Sequence, residues 1–271
     1  MMQMKEYKEV PQDVPHDDAV VRQPQVTGNP VVSDSVTAGG GGGGAVENWM
    51  SIPVGMPNCP QGLEYLTALD QLLISQKIEK LELITGFETK NRFKIKNSLG
   101  QNVYFATEES DCCTRNLLGR SRPFEMKILD NFQNEVLHLH RPFRCDILCC
   151  FPNCLNAVEV QAPPGQVIGT VEQVCTFMKP KFNIKNSFGD IVLTIEGPVC
   201  PCKCFSDTNF KVFSVNNEQI GKISKQWSGL GRELFTDADY FSVTFPLHLD
   251  VRMKALIFSA LFLIDVVYYE Q

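Results

Sequence analysis

The sequence lacks the features expected of a nucleic-acid-binding protein, of an enzyme with covalent chemistry and of a secreted protein. Positive charge is in deficit, since a net charge of -6 at pH 7 disfavours a protein that grips nucleic-acid phosphates. The four histidines stand near no GxSxG, HExxH or P-loop spacing, so we expect no enzyme performing covalent chemistry. No apolar core follows the first charged residues, and we therefore expect no secretory signal.

Cysteine, in contrast, is abundant, with eleven residues. Without a secretory signal they are expected in a reducing compartment, where a disulfide framework is not the expected use. One cluster consists of Cys145, Cys149, Cys150 and Cys154. A second consists of Cys200, Cys202 and Cys204. The first cluster, beside Phe151 and Pro152, is either a site of S-palmitoylation or a set of buried apolar residues; the second leaves zinc, acylation and simple burial open.

The chain divides by composition at about residue 58. Residues 1–58 are rich in proline, glycine and aspartate and contain six consecutive glycines at 39–44, so they are predicted to form a flexible tail. Such a tail is a candidate for contacts with protein partners. Residues 59–271 have the composition of a folded domain, and we expect a single domain there.

Periodicity within residues 59–271 indicates a mainly β fold. Leu63, Leu66, Leu69, Leu73 and Ile74 fall on one face of a predicted amphipathic helix. After that helix the period drops to two, and about a dozen short segments, beginning with 79–84, alternate with turn residues. This texture is typical of a sandwich or a barrel.

An internal repeat favours two similar half-barrels. Residues 92–100 (RFKIKNSLG) return at 181–189 (KFNIKNSFG), and Phe124 and Phe210 begin segments with a similar offset. In each copy the Asn-Ser-x-Gly sequence predicts a hairpin turn with glycine where a positive φ is needed. Closing the two halves on each other would remove exposed sheet edges.

The C-terminal segment predicts an apolar helix over 252–269. The fifteen residues after Lys254 would span roughly 22 Å as a helix, short of a bilayer core of about 30 Å. Asp265 lies within the run, and a carboxylate is costly in lipid. Burial in the bore of the barrel is therefore favoured over a membrane span, which stays open. The core of this helix comprises Ala255, Leu256, Ile257, Phe258, Leu261, Phe262, Leu263 and Ile264.

An acidic segment at 237–250 is a candidate calcium loop. Asp237 and Asp239 occupy the first and third positions of a twelve-residue loop. The sixth position holds Ser242 instead of glycine, and the twelfth holds His248 instead of a bidentate acid. From the chemistry alone, a turn that leads into a strand is the favoured interpretation.

Several longer motifs resemble the phospholipid scramblases. They are NCPQGLEYL at 58–66, TGFET at 85–89, DCCTRN at 111–116, QAPPG at 161–165, GKISKQW at 221–227 and FTDAD at 235–239. The resemblance runs from about Trp49 to the C-terminus. It implies a closed, tubby-like barrel of about twelve strands around a hydrophobic C-terminal helix, in agreement with the patterns above.

The resemblance also implies an activity and its site residues. The activity is calcium-dependent, ATP-independent, bidirectional movement of phospholipids between membrane leaflets. The family's calcium segment maps onto Asp237, Asp239, Phe241, Val243 and His248. Its palmitoylated cysteines map onto Cys149, Cys150 and Cys154. A basic segment for nuclear import maps onto Gly221, Lys222, Ile223, Ser224, Lys225, Gln226 and Trp227.

The expected partner is therefore a phospholipid membrane, with Ca²⁺ as cofactor. We expect the cytoplasmic face of the plasma membrane first, with mitochondrial or nuclear pools as alternatives, and self-association into homo-oligomers stays open. A second hypothesis is a palmitoyl-anchored interaction or signalling module without transport activity of its own. Truncation near Asp250 and replacement of the three cysteines would separate the two hypotheses.

Overall fold

The computed structural model describes residues 48–53, 59–77, 91–109, 121–144, 155–199, 207–226 and 240–269. Most of the predicted tail lies outside these ranges, so its flexibility stays a prediction. The piece 48–53 runs beside the folded domain, because the Asn102 amide donates to the Asn48 carbonyl (2.8 Å) and the Met50 amide donates to the Asn102 carbonyl (2.9 Å).

Twelve antiparallel strands close into a barrel in which each strand pairs with its sequence neighbours and the last pairs with the first. The strands are β1 (Gln71–Lys77), β2 (Arg92–Lys96), β3 (Asn102–Glu109), β4 (Phe124–Leu129), β5 (Glu135–Arg141), β6 (Ala157–Gln161), β7 (Val167–Val174), β8 (Lys181–Asn186), β9 (Ile191–Glu196), β10 (Thr208–Ser214), β11 (Gln219–Gln226) and β12 (Tyr240–Thr244). Closure leaves no strand edge unpaired along this circuit. The predicted mainly β barrel is confirmed.

The two ends of the barrel differ in their connections. At one end, here called the turn end, β2, β4, β6, β8 and β10 pass to the next strand through short turns, and residues 245–250 leave β12. At the other, the loop end, lie the connections that follow β1, β3, β5, β7, β9 and β11. Of these six, only the β7–β8 connection lies wholly within the described residues.

The predicted amphipathic helix from Leu63 to Ile74 is wrong in its second half. The observed helix α1 is a single turn, Glu64–Thr67, and β1 begins at Gln71. Leu72 and Ile74 are buried while their neighbours are only partly so, which is the period-two pattern of a strand. Pairing of this segment with both β12 and β2 closes the barrel, a long-range gain that outweighs local helix propensity. The predicted first strand, 79–84, lies outside the described residues.

The internal repeat appears as two matching turns on opposite sides of the barrel. β2 and β8 are six strands apart in a circle of twelve. Asn97 and Asn186 each use the side-chain oxygen to accept two backbone amides of their own turn, at 2.9 to 3.0 Å. Gly100 and Gly189 have φ values of 78° and 88°, which confirms the predicted glycine turn.

Helix α2, Val251–Tyr268, lies inside the barrel. Asp250 caps its start by accepting a hydrogen bond from the Arg252 amide at 2.8 Å. All residues from Lys254 to Val266 are buried, as expected for a helix that is apolar on every side. Within the described parts of the chain, no helix combines the length and apolar character needed to cross a bilayer.

Candidate functional site

The bore of the barrel is filled by α2. Phe262 packs edge-to-face on Phe93 of β2, with ring centroids 5.2 Å apart. On the opposite side, Tyr268 packs on Phe182 of β8 at 6.2 Å. Nearer the start of the helix, Leu256 packs so closely on Gly169 of β7 that a Cβ added to this glycine would lie 2.9 Å from the Leu256 Cδ1 atom. A helix in contact with strands on opposite sides leaves no lipid-wide path along the bore.

A buried lysine anchors the start of α2 at the turn end. The Lys254 Nζ donates to the carbonyls of Leu66 (2.8 Å), Leu69 (2.8 Å) and Leu247 (2.7 Å). It also lies 5.3 Å from the centre of the Phe245 ring. One ammonium group therefore ties the helix to α1 and to the segment that enters it. Charge-assisted bonds of this kind are about twice as strong as neutral ones.

The anchoring lysine gives the fold a testable pH dependence. Burial lowers the pKa of Lys254 to about 8 from an ordinary 10.5, and Asp70 opposes the change in part. Between these values the unfolded chain binds more protons than the folded one, so this group makes the free energy of unfolding rise with pH. Burial also raises the pKa values of Cys59, Tyr65 and Tyr104. These groups make the free energy of unfolding fall as the pH rises through their pKa values, opposite to the effect of Lys254.

A comparison of variants isolates the lysine. We expect Lys254→Met to destabilise the chain most at pH 10, because there the wild type no longer bears the cost of a buried charge, and the difference from wild type should grow by about 2 kcal/mol between pH 7.5 and 10. Urea unfolding at the two pH values measures it. The exposed Lys211→Met is the control and should show no pH-dependent difference. If the difference in free energy of unfolding between Lys254→Met and wild type were the same or smaller at pH 10, the lowered pKa of Lys254 would be contradicted.

The loop end carries a buried polar chain that the sequence analysis missed. Glu108 and Arg122 are 0 % and 2 % exposed, and the Arg122 Nε donates to the Glu108 carboxylate at 3.1 Å. The side-chain Nδ2 of Asn91 donates to the same carboxylate at 2.7 Å. A signal was present in the sequence, because Glu108 shares its inward parity along β3 with Tyr104 and Ala106.

The polar chain continues from the barrel wall to the end of α2. Arg141 donates to the Arg122 carbonyl at 3.0 Å and to the side-chain oxygen of Asn156. Asn156 donates to Gln173 at 2.7 Å, and Gln173 reaches the Tyr268 hydroxyl at 3.4 Å. The helix is thus held by polar contacts at both ends, while its middle is held by apolar packing.

The predicted calcium segment is only partly described. Asp237 and Asp239 lie outside the described residues. Phe241 and Val243 lie in β12, with buried side chains and pairing partners on both edges of the strand. Their carbonyl oxygens face neighbouring strands, and an extended strand does not wrap an ion as a calcium loop does. This part of the segment does not fit an EF-hand arrangement. His248 is exposed in the 245–250 segment.

No cluster of three or more metal-ligating side chains occurs among the residues that the structure describes. The predicted palmitoylation residues Cys149, Cys150 and Cys154 fall outside those residues, as does Trp227. The rest of the import segment is β11, paired on both edges, with Ile223 and Ser224 buried and Lys222 exposed. Within the closed barrel this segment presents only its outward side chains.

Comparison with a family model and with curated proteins matches this chain to scramblases in both cases. The Scramblase family model matches residues 50–271. Phospholipid scramblase 1 of Mus musculus is 54% identical over 224 residues, which cover 82% of this chain and 68% of the relative. Phospholipid scramblase 2 of Bos taurus is 55% identical over 223 residues, covering 82% and 76%. Phospholipid scramblase 1 of Homo sapiens is 53% identical over 223 residues, covering 82% and 70%. No solved structure matches the chain.

Proposed function

Because this chain belongs to the Scramblase family, we propose that it moves phospholipids between the two leaflets of a membrane, in both directions and without ATP. The observation that carries the proposal is the match to phospholipid scramblases across the whole barrel, α2 included. The work is lipid translocation, with no covalent step.

The filled bore limits how such a protein can act. Eight buried Leu, Ile, Phe and Val side chains of α2 contribute roughly 1.5 to 3 kcal/mol each. Lipid could shelter an extracted helix, but the apolar lining of the emptied barrel would remain without a partner. We therefore propose that the intact barrel acts on the bilayer from its outer surface, by disturbing lipid packing, rather than as a channel.

Calcium dependence forms the finer part of the proposal. Asp237 and Asp239 immediately precede β12, and they are the residues of the predicted segment with the oxygen ligands that Ca²⁺ prefers. Since Phe241 and Val243 are committed to the strand, we propose the two aspartates, rather than a complete EF-hand loop, as the calcium-sensitive pair.

Lipid exchange in liposomes tests the proposal. The full chain should accelerate the exchange of labelled phospholipids above the rate of protein-free liposomes, and micromolar to millimolar Ca²⁺ should raise the rate further. Asp237→Ala should reduce the calcium response at least several-fold, because a site with so few carboxylates depends on each. Glu125→Ala, at an exposed acid of strand β4, is the control. Exchange no faster than in protein-free liposomes would overturn the proposal.

A second candidate is a membrane-anchored interaction module that moves no lipid. The filled bore favours it, because a packed helix gives the barrel no evident channel. In this proposal palmitoyl groups on Cys149, Cys150 and Cys154 hold the chain on the cytoplasmic face of the plasma membrane, and the N-terminal tail recruits protein partners. Replacing the three cysteines with serine should then release the chain into the soluble fraction, and unchanged partitioning would exclude the anchor.

A further inference from the structure

Apolar side chains project from the turn end of the barrel all around its circumference. Each of the five short turns has the same five-residue frame, in which the first amide donates to the fifth carbonyl at 2.9 to 3.0 Å. Four of these turns and the 245–250 segment each carry one large exposed hydrophobic residue. These tips, with their exposed fractions, are Leu99 (81%), Phe132 (64%), Phe188 (88%), Val215 (70%) and Leu247 (57%).

The fifth turn carries the exposed Pro163 and Pro164, and it completes the circle between the turns that bear Phe132 and Phe188. We call this set the apolar rim. Its members come from connections that follow one another around the closed barrel, so all of them project outward from one end of the barrel. Isolated exposed apolar residues are ordinary, but one at every connection of a single end is not.

The turns hold the tips rigidly. In three of them an Asn or Asp at the first position accepts the amide of the tip residue itself, at 2.8 to 3.0 Å, for Leu99, Phe132 and Phe188. The same oxygens accept the amide of the fifth turn residue, at 2.8 to 3.0 Å. In these three turns the bonds fix the backbone from which the tip projects, and exposing the tip to water has a free-energy cost that an apolar environment would remove.

The apices of the turns carry no charge. Their central triplets are Ser-Leu-Gly, Asn-Phe-Gln, Pro-Pro-Gly, Ser-Phe-Gly and Val-Asn-Asn. At the chain's charged content of 21%, about three of fifteen such positions would bear a charge. Exposed charges stand one position further back, at Asp190 and Glu218, each at the end of its turn. The outermost layer of the turns is thus apolar and neutral, and the layer behind it carries a carboxylate in two of the five turns, while the other three end in Gln101, Asn134 and Gln166.

We propose that the apolar rim inserts into the surface of a zwitterionic phospholipid bilayer, so that the barrel stands on the membrane on its turn end. This inference rests on the proposed function only in taking a phospholipid bilayer as the partner. Uncharged tips match the acyl region, and the carboxylates behind them match the outward choline ammonium groups of phosphatidylcholine. Apolar side chains that stand apart from one another can each be surrounded by fluid lipid, whereas binding a folded protein needs a contiguous packed surface.

The loop end provides the internal comparison. It also exposes apolar residues, among them Phe177 and Met178 in the β7–β8 connection. These lie next to Lys179 and Lys181 rather than in an uncharged apex. Palmitoylation of the β5–β6 connection would place the loop end on the membrane, so the two ends make opposite predictions for the orientation of the barrel.

Vesicle binding of the full, unacylated chain tests the rim. The chain should float with phosphatidylcholine vesicles, and Leu99→Ser/Phe132→Ser/Phe188→Ser should weaken partitioning on the order of 1,000-fold, because each of the three inserted side chains contributes a factor of about ten. Phe177→Ser/Met178→Ser is the matched control and should bind as the wild type does. Thermal unfolding should show equal melting temperatures, since all the altered side chains are exposed.

A spectroscopic probe reports orientation directly. Phe188→Trp should become quenched by brominated lipids and shift to shorter wavelength on vesicle addition, beyond the background of Trp49 and Trp227, and Phe177→Trp should not. Adding phosphatidylserine should not increase binding. Failure of the wild type to bind phosphatidylcholine, a requirement for anionic lipid, or loss of binding only in the Phe177/Met178 variant would overturn the proposal.

Two further outcomes are decisive. If the wild type sediments as a dimer and the triple variant as a monomer, with vesicle binding unchanged, the rim is a self-association surface and the proposal is wrong. If vesicle binding depends on the rim but no lipid exchange occurs, the proposed membrane insertion of the rim is supported and the proposed scrambling activity is rejected. Exchange by a triple variant that still binds vesicles as the wild type does would reject the rim and keep the scrambling.

Discussion

Ending the chain at Asp250 is expected to abolish the folded barrel. The truncation removes α2 and exposes the inward-facing side chains of all twelve strands, together with the carbonyls of Leu66, Leu69 and Leu247 that Lys254 satisfies. The eight large apolar side chains lost from the helix account for roughly 12 to 24 kcal/mol. A typical domain has a net stability of about 5 to 15 kcal/mol, so the remainder cannot fold.

Circular dichroism and urea unfolding of the truncated chain measure this effect. A chain ending at Tyr269 is the matched control, because it keeps all of α2 and loses only two residues. We expect the control to unfold cooperatively and the chain ending at Asp250 to aggregate or to show no cooperative transition. A soluble, cooperatively unfolding chain without α2 would mean that the helix is an appendage and that the barrel has another core.

Glu108→Gln is expected to cost about 3 to 5 kcal/mol of the free energy of unfolding, because it leaves the Arg122 guanidinium buried beside a neutral partner. Arg122 is 2 % exposed, so water cannot replace the lost carboxylate. Replacing both partners, as in Glu108→Gln/Arg122→Met, should recover part of the loss, since the buried charge is then removed as well.

The adjacent residue supplies a matched control. Glu109 pairs with Lys127 at 3.0 Å, but its side chain is 43% exposed. Glu109→Gln should therefore cost no more than about 1 kcal/mol, as is usual for surface ion pairs. Urea unfolding of the three variants and wild type gives the comparison. Equal losses for Glu108→Gln and Glu109→Gln would show that the polar chain at the loop end is not buried in solution.

Much of the fold could be predicted from local pattern. Alternation of apolar residues marked the strands, and the repeat at residues 92–100 and 181–189 located two equivalent turns with their glycines. The apolar C-terminal run, too short for a bilayer and carrying Asp265, indicated a buried helix. The helix predicted through Ile74 failed because leucines at 63, 66, 69 and 73 satisfy a helical period, whereas barrel closure requires a strand at Gln71–Lys77.

The polar contacts of the site could not be predicted in the same way. Lys254 meets two of its three carbonyl partners 185 and 188 residues away in sequence, and nothing local marks it as different from the basic residue at 252. Glu108 has the inward parity of its strand, but Arg122 lies outside the strands, two residues before β4, and no local pattern pairs it with Glu108. The apolar rim was also hidden, since Leu99 and Phe188 look like ordinary turn residues until the topology places all the turns at one end.

We propose that the barrel acts with α2 inside it. Backbone hydrogen exchange in liposomes that are actively exchanging lipid tests this claim most directly, with the strands β7 and β8 as reporters because they line the helix. We expect these strands to keep the protection they have in the lipid-free protein while lipids move between leaflets. Rapid exchange of β7 and β8 whenever lipid exchange is rapid would contradict it, because the helix would then have left the barrel.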